Sequence, residues 1–266
     1  MLLCEQRARL DHDGHCVIQA VDAGEVINFA SALGLPQPDP RDGVLVKDIR
    51  PQPKHTANTN TLSSRYGMGA FPVHTEAAYL HKPPRFLLLY CMEPGRGGRT
   101  TVLLDGADIS SRLPDVRRAG TWVVKAGRRP FLCDVLWRRA QNQIGIRYDR
   151  ECLFPRGPAA LAEEQLIRGF INASTLVTIE WARCQLLVID NHRMLHGRGG
   201  INDDDLARVF EIGWRGEPER GTKDAGAGLG LAIARGIIES HSGSITVANV
   251  DGGCRFEAEL PTQTST

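Results

Sequence analysis

The chain has 266 residues, 42% of them hydrophobic, and its 32 basic and 31 acidic side chains leave a net charge of +1. That length and apolar content suit one large β-rich domain, or a domain with an appendage, built around a sizeable core. A near-neutral chain carries no electrostatic footprint for nucleic acid or an anionic membrane, so neither is expected as a partner.

The first sixteen residues lack the long apolar core of a signal peptide, and no run reaches the roughly 18 apolar residues of a membrane span. Seven cysteines, at positions 4, 16, 91, 133, 152, 184 and 254, form no CxxC pair and read as reduced thiols. A cytoplasmic location is the expectation. "HDGHC" (12–16) reads as a hairpin turn between two strands rather than a metal cluster. "DAGEVINFASALG" predicts a helix with Asp22 as N-cap and Gly34 as its stop. The prolines of "LPQPDPRDG" predict a loop. "RFLLLYCM" (85–92) and "TTVLLDG" (100–106) are short apolar runs bounded by Pro and Gly, as buried strands are.

Further along, "ADISSRLPDVRRAG" predicts a short helix ending near Gly120, followed by a strand in "TWVVKAG". "IGIRYDR" (144–150) alternates like a half-buried strand, and "PAALAEEQLIRGFINAS" is the clearest amphipathic helix, with Glu163 and Glu164 in its N-terminal half. "TLVTIEWARCQLLVIDNHRMLHGRGG" reads as two strands, a tight turn and a loop. "ARVFEIGWR" (207–215) reads as one more strand. Many short strands with few helices predict a mainly β fold with flanking helices, a sandwich or jelly roll. The composition turns polar and Gly-rich in "GEPERGTKDAG", so the main domain is placed at 1–216, with a linker and C-terminal fragment over 217–266.

His74-Thr-Glu76 puts an imidazole and a carboxylate at i and i+2, on the same side of a strand. Alone it means little, because about one His-x-acid triplet is expected by chance in such a composition. Two imidazoles and one carboxylate on one face of Fe(II) leave three positions for a chelating cosubstrate and O2. Two candidates for the second imidazole lie in "VIDNHRMLHGR", His192 and His196. On a strand those two are about 13 Å apart, so only one can join. His196 is chosen because Arg208 follows twelve residues later, where its fork can grip a carboxylate bidentately. Such a grip suits the distal carboxylate of 2-oxoglutarate, and Thr100 in "GGRTT" can add a hydroxyl to it.

These stretches, "FPVHTEAAYLHKPPRFLLLYC", "GRGGRTTVLLDG" and "VIDNHRMLHGRGG…ARVFEIGWR", together resemble the taurine dioxygenase and clavaminate synthase-like family of Fe(II)/2-oxoglutarate-dependent oxygenases, over roughly residues 40–215. The resemblance implies a double-stranded β-helix, His74, Glu76 and His196 as iron ligands, and Thr100 and Arg208 as 2-oxoglutarate-binding residues. It implies oxidation, usually hydroxylation, of an unactivated C–H bond with release of succinate and CO2. Most of the family has Asp where this chain has Glu76, which clavaminate synthase and its amino-acid-hydroxylating relatives share. A retained carboxylate argues against the halogenase variant, where a small residue makes room for chloride. An amino acid or small amine-bearing metabolite is the expected substrate class, within a biosynthetic pathway. "NTLSSRYGMGAF", with Ser64, is the expected pocket wall, and Arg147 either faces a substrate carboxylate or is a solvated strand-edge arginine.

"GAGLGLAIARGIIESHSGSITVANVDGGCRFEAELP" resembles the glycine box, helix and closing hairpin of a histidine-kinase ATP-binding domain, over about forty residues. The helix with the Mg-binding Asn and the segment with the adenine-binding Asp are not found before it, and the glycines of "DAGAG" run straight into the GLGL stretch. ATP binding is therefore not expected. A helix and hairpin bury too little to stand alone, so this fragment is expected to dock on the oxygenase part or to mediate self-association. The rival reading is a nucleotide-responsive regulatory protein with a non-catalytic barrel.

Overall fold

The computed structural model describes residues 4–50, 52, 54–59, 61–67, 69–94, 100–112, 120–126, 129–139, 143–199, 206, 208–214, 227–250 and 253–261. The N-terminal elements are α1 (Cys4–Asp13), β1 (His15–Ile18), a 3-10 turn (Ala23–Glu25), α2 (Val26–Leu33), α3 (Leu62–Tyr66), β2 (Phe71–His74), β3 (Phe86–Cys91), β4 (Thr101–Asp105) and α4 (Gly106–Arg112). The middle holds β5 (Thr121–Val124), β6 (Phe131–Cys133), β7 (Leu136–Arg138), β8 (Ile144–Ile146), β9 (Leu153–Arg156) and α5 (Gly157–Ala173). Last come β10 (Val177–Ile179), β11 (Gln185–Asp190), β12 (Met194–Arg198), α6 (Gly230–Ser240), β13 (Ser244–Val250) and β14 (Gly253–Glu259). No described helix is long and apolar enough to cross a membrane.

The chain divides into two compact units, the first made of residues 1–49, 72–94 and 101–197. It is a jelly roll. One sheet has the order β1-β11-β3 and the other β10-β4-β12-β2. The run "QLLVID" is buried at every residue because β11 lies between two partners and is covered on both faces. Leu187 and Ile189 face inward to Leu103, Ile179 and Met194 of the second sheet. Leu186 and Val188 face outward to Leu10 of α1 and Phe29 of α2. Each such burial is worth about 1.5–3 kcal/mol.

The second sheet is covered on its far side by the largest core, where Val73, Leu104 and Leu195 meet Trp122, Ile146, Tyr148 and the α5 residues Ala160, Ile167 and Ile171. α5 can lie this close because Gly120 has no side chain; a Cβ there would sit 2.4 Å from the Ala160 backbone. Glu163, buried on the same face of α5, accepts from the Gly120 N–H at 2.6 Å and from Trp122 Nε1 at 2.9 Å. Its carboxylate thus satisfies two buried donors that no strand reaches.

Asp22 caps the 3-10 turn that leads into α2 rather than α2 itself, its side chain accepting from Gly24 N, and Gly34 ends α2 as expected. Other expectations are corrected. "HDGHC" is no hairpin turn between strands, because the residues before it form α1, which buries Leu10 against β11. Gly14 makes the helix-to-strand turn at φ +74°, where a Cβ would also strike Met194. The strand expected over 144–150 stops at Ile146, since Arg147 N–H turns to Val135 O and Tyr148 pairs with Thr75 instead of continuing the ladder. The expected helix end near Gly120, in 113–119, lies outside the described residues.

The second unit comprises residues 50–71, 95–100 and 198–266. Its last segment starts at Arg198. The further strand expected at 207–215 is not formed: Leu206 and Arg208 are helical and 209–213 turn. The reason is local packing, for Phe210 stacks edge-on against Phe256 of β14, Arg235 of α6 covers its ring, and Gly213 N–H donates to Gly228 O. The segment is therefore built onto the C-terminal helix and hairpin, where β13 and β14 pair antiparallel from Ser244↔Glu259 to Val250↔Gly253.

Replacing Glu163 by Ala strands two buried donors and should cost about 2–4 kcal/mol in urea unfolding, with Glu163→Gln costing less. A loss under ~0.5 kcal/mol in Glu163→Ala would show that the two donors find other partners.

Candidate metal centre

His74 closes β2, Glu76 follows two residues later, and His196 lies on β12, the strand beside β2 in the second sheet. Pairing of these strands brings together residues 120 positions apart. The His74 and His196 rings are 4.5 Å apart between centroids, and His196 Nε2 lies 3.7 Å from Glu76 Oε2. One ligand atom from each residue falls within 4.8 Å of the others. Two ligands held about 2.1 Å from one ion lie no more than about 4.2 Å apart, so small side-chain movements close this set on a metal.

The donor set suits a divalent transition metal. His74 Nδ1 lies 3.2 Å from Pro72 O, which can only accept, so Nδ1 carries the proton and Nε2 keeps its lone pair. His196 Nδ1 is buried with no hydrogen-bond partner among the described residues. Burial, then the adjacent His196, push the His74 pKa below its ordinary value, so the ring is neutral at pH 7. Burial opposes charge on Glu76, but His196 and then His74 outweigh it and hold the carboxyl down to about 2. Two imidazoles and one carboxylate are the donors that non-haem Fe(II) takes.

Asn191 holds this arrangement and has no signal in the sequence beyond its place in a tight turn. It is buried, its Oδ1 accepts from the Glu76 N–H at 2.6 Å, and its Nδ2 donates to Glu76 O and Pro84 O at 3.0 and 2.9 Å. The turn after β11 is thereby clipped to the backbone of the carboxylate ligand. Thr75 adds a second clip, with its N–H 2.7 Å from Tyr148 O and its Oγ1 accepting from Tyr148 N at 3.1 Å.

The other sequence-predicted residues are placed as follows. His192 sits in the turn before β12, with Nε2 on Pro83 O and its ring edge-on to Trp137, apart from the three-residue group. Arg147 is buried, not the solvated strand-edge residue that was one of its two readings. Thr100 is half-buried and its carbonyl accepts from Gly199 N–H; Gly97 and Gly98 of its motif lie outside the described residues. Ser64 spends its hydroxyl on Thr59 O and Thr61 O at the start of α3. Arg208, expected on a strand, stands instead in the helical turn, exposed and paired with Glu211 at 3.1 Å.

The sheets and the three-residue group define a jelly roll with a candidate metal centre. Residues 5–132 match the family model "Taurine catabolism dioxygenase TauD, TfdA family". His74, Glu76 and Thr100 lie within the match, whereas His196 and Arg208 lie beyond it. Among solved structures, asparagine oxygenase in complex with Fe(II), 2S,3S-3-hydroxyasparagine and succinate aligns with a TM-score of 0.57 and 18% identity, covering 74% of this chain and 72% of its own. The non-haem iron oxygenase OrfP with Fe and alpha-ketoglutaric acid aligns with a TM-score of 0.54 and 20% identity, over 78% and 81% of the two chains. PvcB from Pseudomonas aeruginosa aligns with a TM-score of 0.51 and 19% identity, over 74% and 73%. At these identities the likeness is one of fold.

A second family model, "Histidine kinase-, DNA gyrase B-, and HSP90-like ATPase", matches residues 167–264. The sensor protein SphS of Synechococcus elongatus is 40% identical over 74 residues, and the kinase BaeS of Escherichia coli 43% identical over 63. The kinase-like stretch is thus longer than the roughly forty residues of the glycine box and hairpin, and the family match takes in Arg208. The chain spans 18% and 14% of the lengths of these two relatives and 25% and 23% of itself is matched.

Asn191→Ala should weaken Fe(II) binding about 10–100-fold, measured by competition with a chelating dye, while His74, Glu76 and His196 are untouched. In the metal-free chain, an unfolded imidazole near 6.5 takes up a proton more readily than folded His74. Stability is therefore full above pH 6.5 and falls as the pH drops below it, and Glu76 adds a further loss from its unfolded value of 4.5 down to about 2. The drop in Tm between pH 7 and 5.5 should be smaller in His74→Gln than in the natural chain; an equal drop would contradict the depressed imidazole.

Proposed function

We propose that this chain acts as an Fe(II)- and 2-oxoglutarate-dependent dioxygenase that oxidises, most simply hydroxylates, an unactivated C–H bond of a small metabolite. The overall balance is substrate, 2-oxoglutarate and O2 giving hydroxylated substrate, succinate and CO2. The observation that carries the reading is the convergence of His74, Glu76 and His196 within 4.8 Å on adjacent strands of a jelly roll. The TauD family match over 5–132 supports it independently. Two of the structurally similar proteins carry hydroxylated amino acids, 3-hydroxyasparagine in one and (3S)-hydroxy-L-Arg in the other, which favours an amino acid or derivative as substrate class.

In this reading His74 and His196 would give the metal nitrogen donors and Glu76 a carboxylate. Bound iron supplies the redox chemistry that couples 2-oxoglutarate decarboxylation to C–H oxidation. The protein's own work is to fix the ligands through Asn191 and Thr75 and to hold two organic molecules beside them. The distal carboxylate of 2-oxoglutarate is assigned to the Thr100 hydroxyl and to Arg208, which must give up Glu211 to take it. Ser64 and the segment around it are assigned to the pocket wall.

A second reading draws on the kinase-like match over 167–264. It makes the C-terminal unit a nucleotide sensor, and requires ATP binding that survives His74→Ala. We read that stretch instead as a partial ATPase domain without ATP affinity, because no Mg-binding Asn helix and no adenine-binding Asp segment precede its glycine box in the sequence.

Anaerobic Fe(II) with 2-oxoglutarate should give a visible metal-to-ligand charge-transfer band in the full chain, lost in His74→Ala and in His196→Ala. Folded protein without the band would contradict the reading. Arg208→Ala should raise the 2-oxoglutarate concentration for half-maximal band intensity about tenfold or more; an unchanged titration removes Arg208 from the site.

A further inference from the structure

Two arginines of the jelly roll have little exposure, and they are treated differently. Arg139, with its side chain 9% exposed, is neutralised by Asp190 at 2.8 Å. Arg147, 8% exposed, has no carboxylate within ion-pair reach among the described residues. Its Nη2 donates to His81 O at 2.9 Å, its guanidinium lies by the Cys133 thiol, and its Nε has no partner. The rings of Phe131 and Trp137 stand 5.9 and 6.0 Å from the guanidinium carbon, and His81 stacks on Phe131 at 3.8 Å.

Aromatic faces and one carbonyl stabilise a cation, but they do not replace the counter-charge that a buried guanidinium needs. The position is also informative. Tyr148, the next residue, is hydrogen-bonded to Thr75 between the two β2-side metal ligands, and the carbonyl that Arg147 reaches lies five residues beyond Glu76. The uncompensated cation is thus held against the same backbone segment that carries the iron ligands. A planar fork with a free Nε donor is suited to a carboxylate, and an apolar aromatic wall would exclude the water that otherwise screens it.

We propose that Arg147 binds the carboxylate of the substrate, which makes the substrate a small carboxylic acid, with free α-amino acids the first members to test. The aromatic groups Phe131 and Trp137 form the wall of that subsite, and Arg147 is a binding residue that orients the substrate rather than a group that exchanges protons. The inference rests on the oxygenase reading for the reaction that follows, but the binding itself does not need iron.

The test is calorimetric titration of the full-length, iron-free chain with the twenty free L-amino acids and, for each that binds, its α-carboxamide. At least one acid should bind, and its carboxamide should bind at least tenfold more weakly. Arg147→Gln should remove that difference, while its charge-transfer band with Fe(II) and 2-oxoglutarate keeps the natural intensity and 2-oxoglutarate affinity. No acid bound, or equal binding of acid and carboxamide, overturns the proposal. So does a variant that still discriminates, or one that loses 2-oxoglutarate, which would make Arg147 a cosubstrate residue. If Arg147→Gln does not fold, the acid-against-carboxamide comparison on the natural chain decides alone. A natural chain that discriminates acids yet shows no charge-transfer band would overturn the oxygenase reading and leave the carboxylate subsite standing.

Discussion

Everything functional in this chain depends on β2 and β12 lying side by side. That adjacency brings His196 to His74 and Glu76, and nothing in the local sequence of either strand could do so. The two strands are held by burial on both faces of their sheet: Met194 packs toward β11, and Val73 and Leu195 pack toward Trp122 and α5. His74 and His196 therefore sit on strands whose side-chain directions are set by core packing.

Asn191 converts that packing into ligand geometry. A carboxylate two residues past a strand end would be free to swing, but two hydrogen bonds of one buried amide fix the Glu76 backbone to the β11–β12 turn, and a third ties that turn to Pro84 O. The electrostatics then follow from proximity. Two imidazoles and a carboxylate this close keep the carboxylate charged and the imidazole at 74 neutral, the protonation states a divalent ion requires. Arg147 poses the complementary problem, a buried positive charge without its anion, beside the same segment.

Much of the first unit was legible in the sequence because its signals are local and agree with each other. The "QLLVID" run, the amphipathic α5, and the Asp22 and Gly34 caps each state their structure in a few residues. The His74–Glu76 pair with a distant histidine was legible through motif spacing. What was not legible depends on contacts far along the chain. α1 is polar over most of its length and is recognisable only by the single Leu10 that it buries. "ARVFEIGWR" has the apolar content of a strand, yet Phe210 finds Phe256 rather than a sheet partner, and Arg208 is carried away from a ladder with it. Arg147 looked like any arginine on an alternating strand; only the covering aromatics reveal that it is buried.

The central claim is that one ion is shared by His74, Glu76 and His196. X-ray absorption at the iron edge of the Fe(II)-loaded full chain tests it most directly. The account predicts nitrogen and oxygen ligands only, with the outer-shell scattering of two imidazoles, falling to one in His196→Ala. Sulfur ligation, or a spectrum of the natural chain with fewer than two imidazoles, would contradict it.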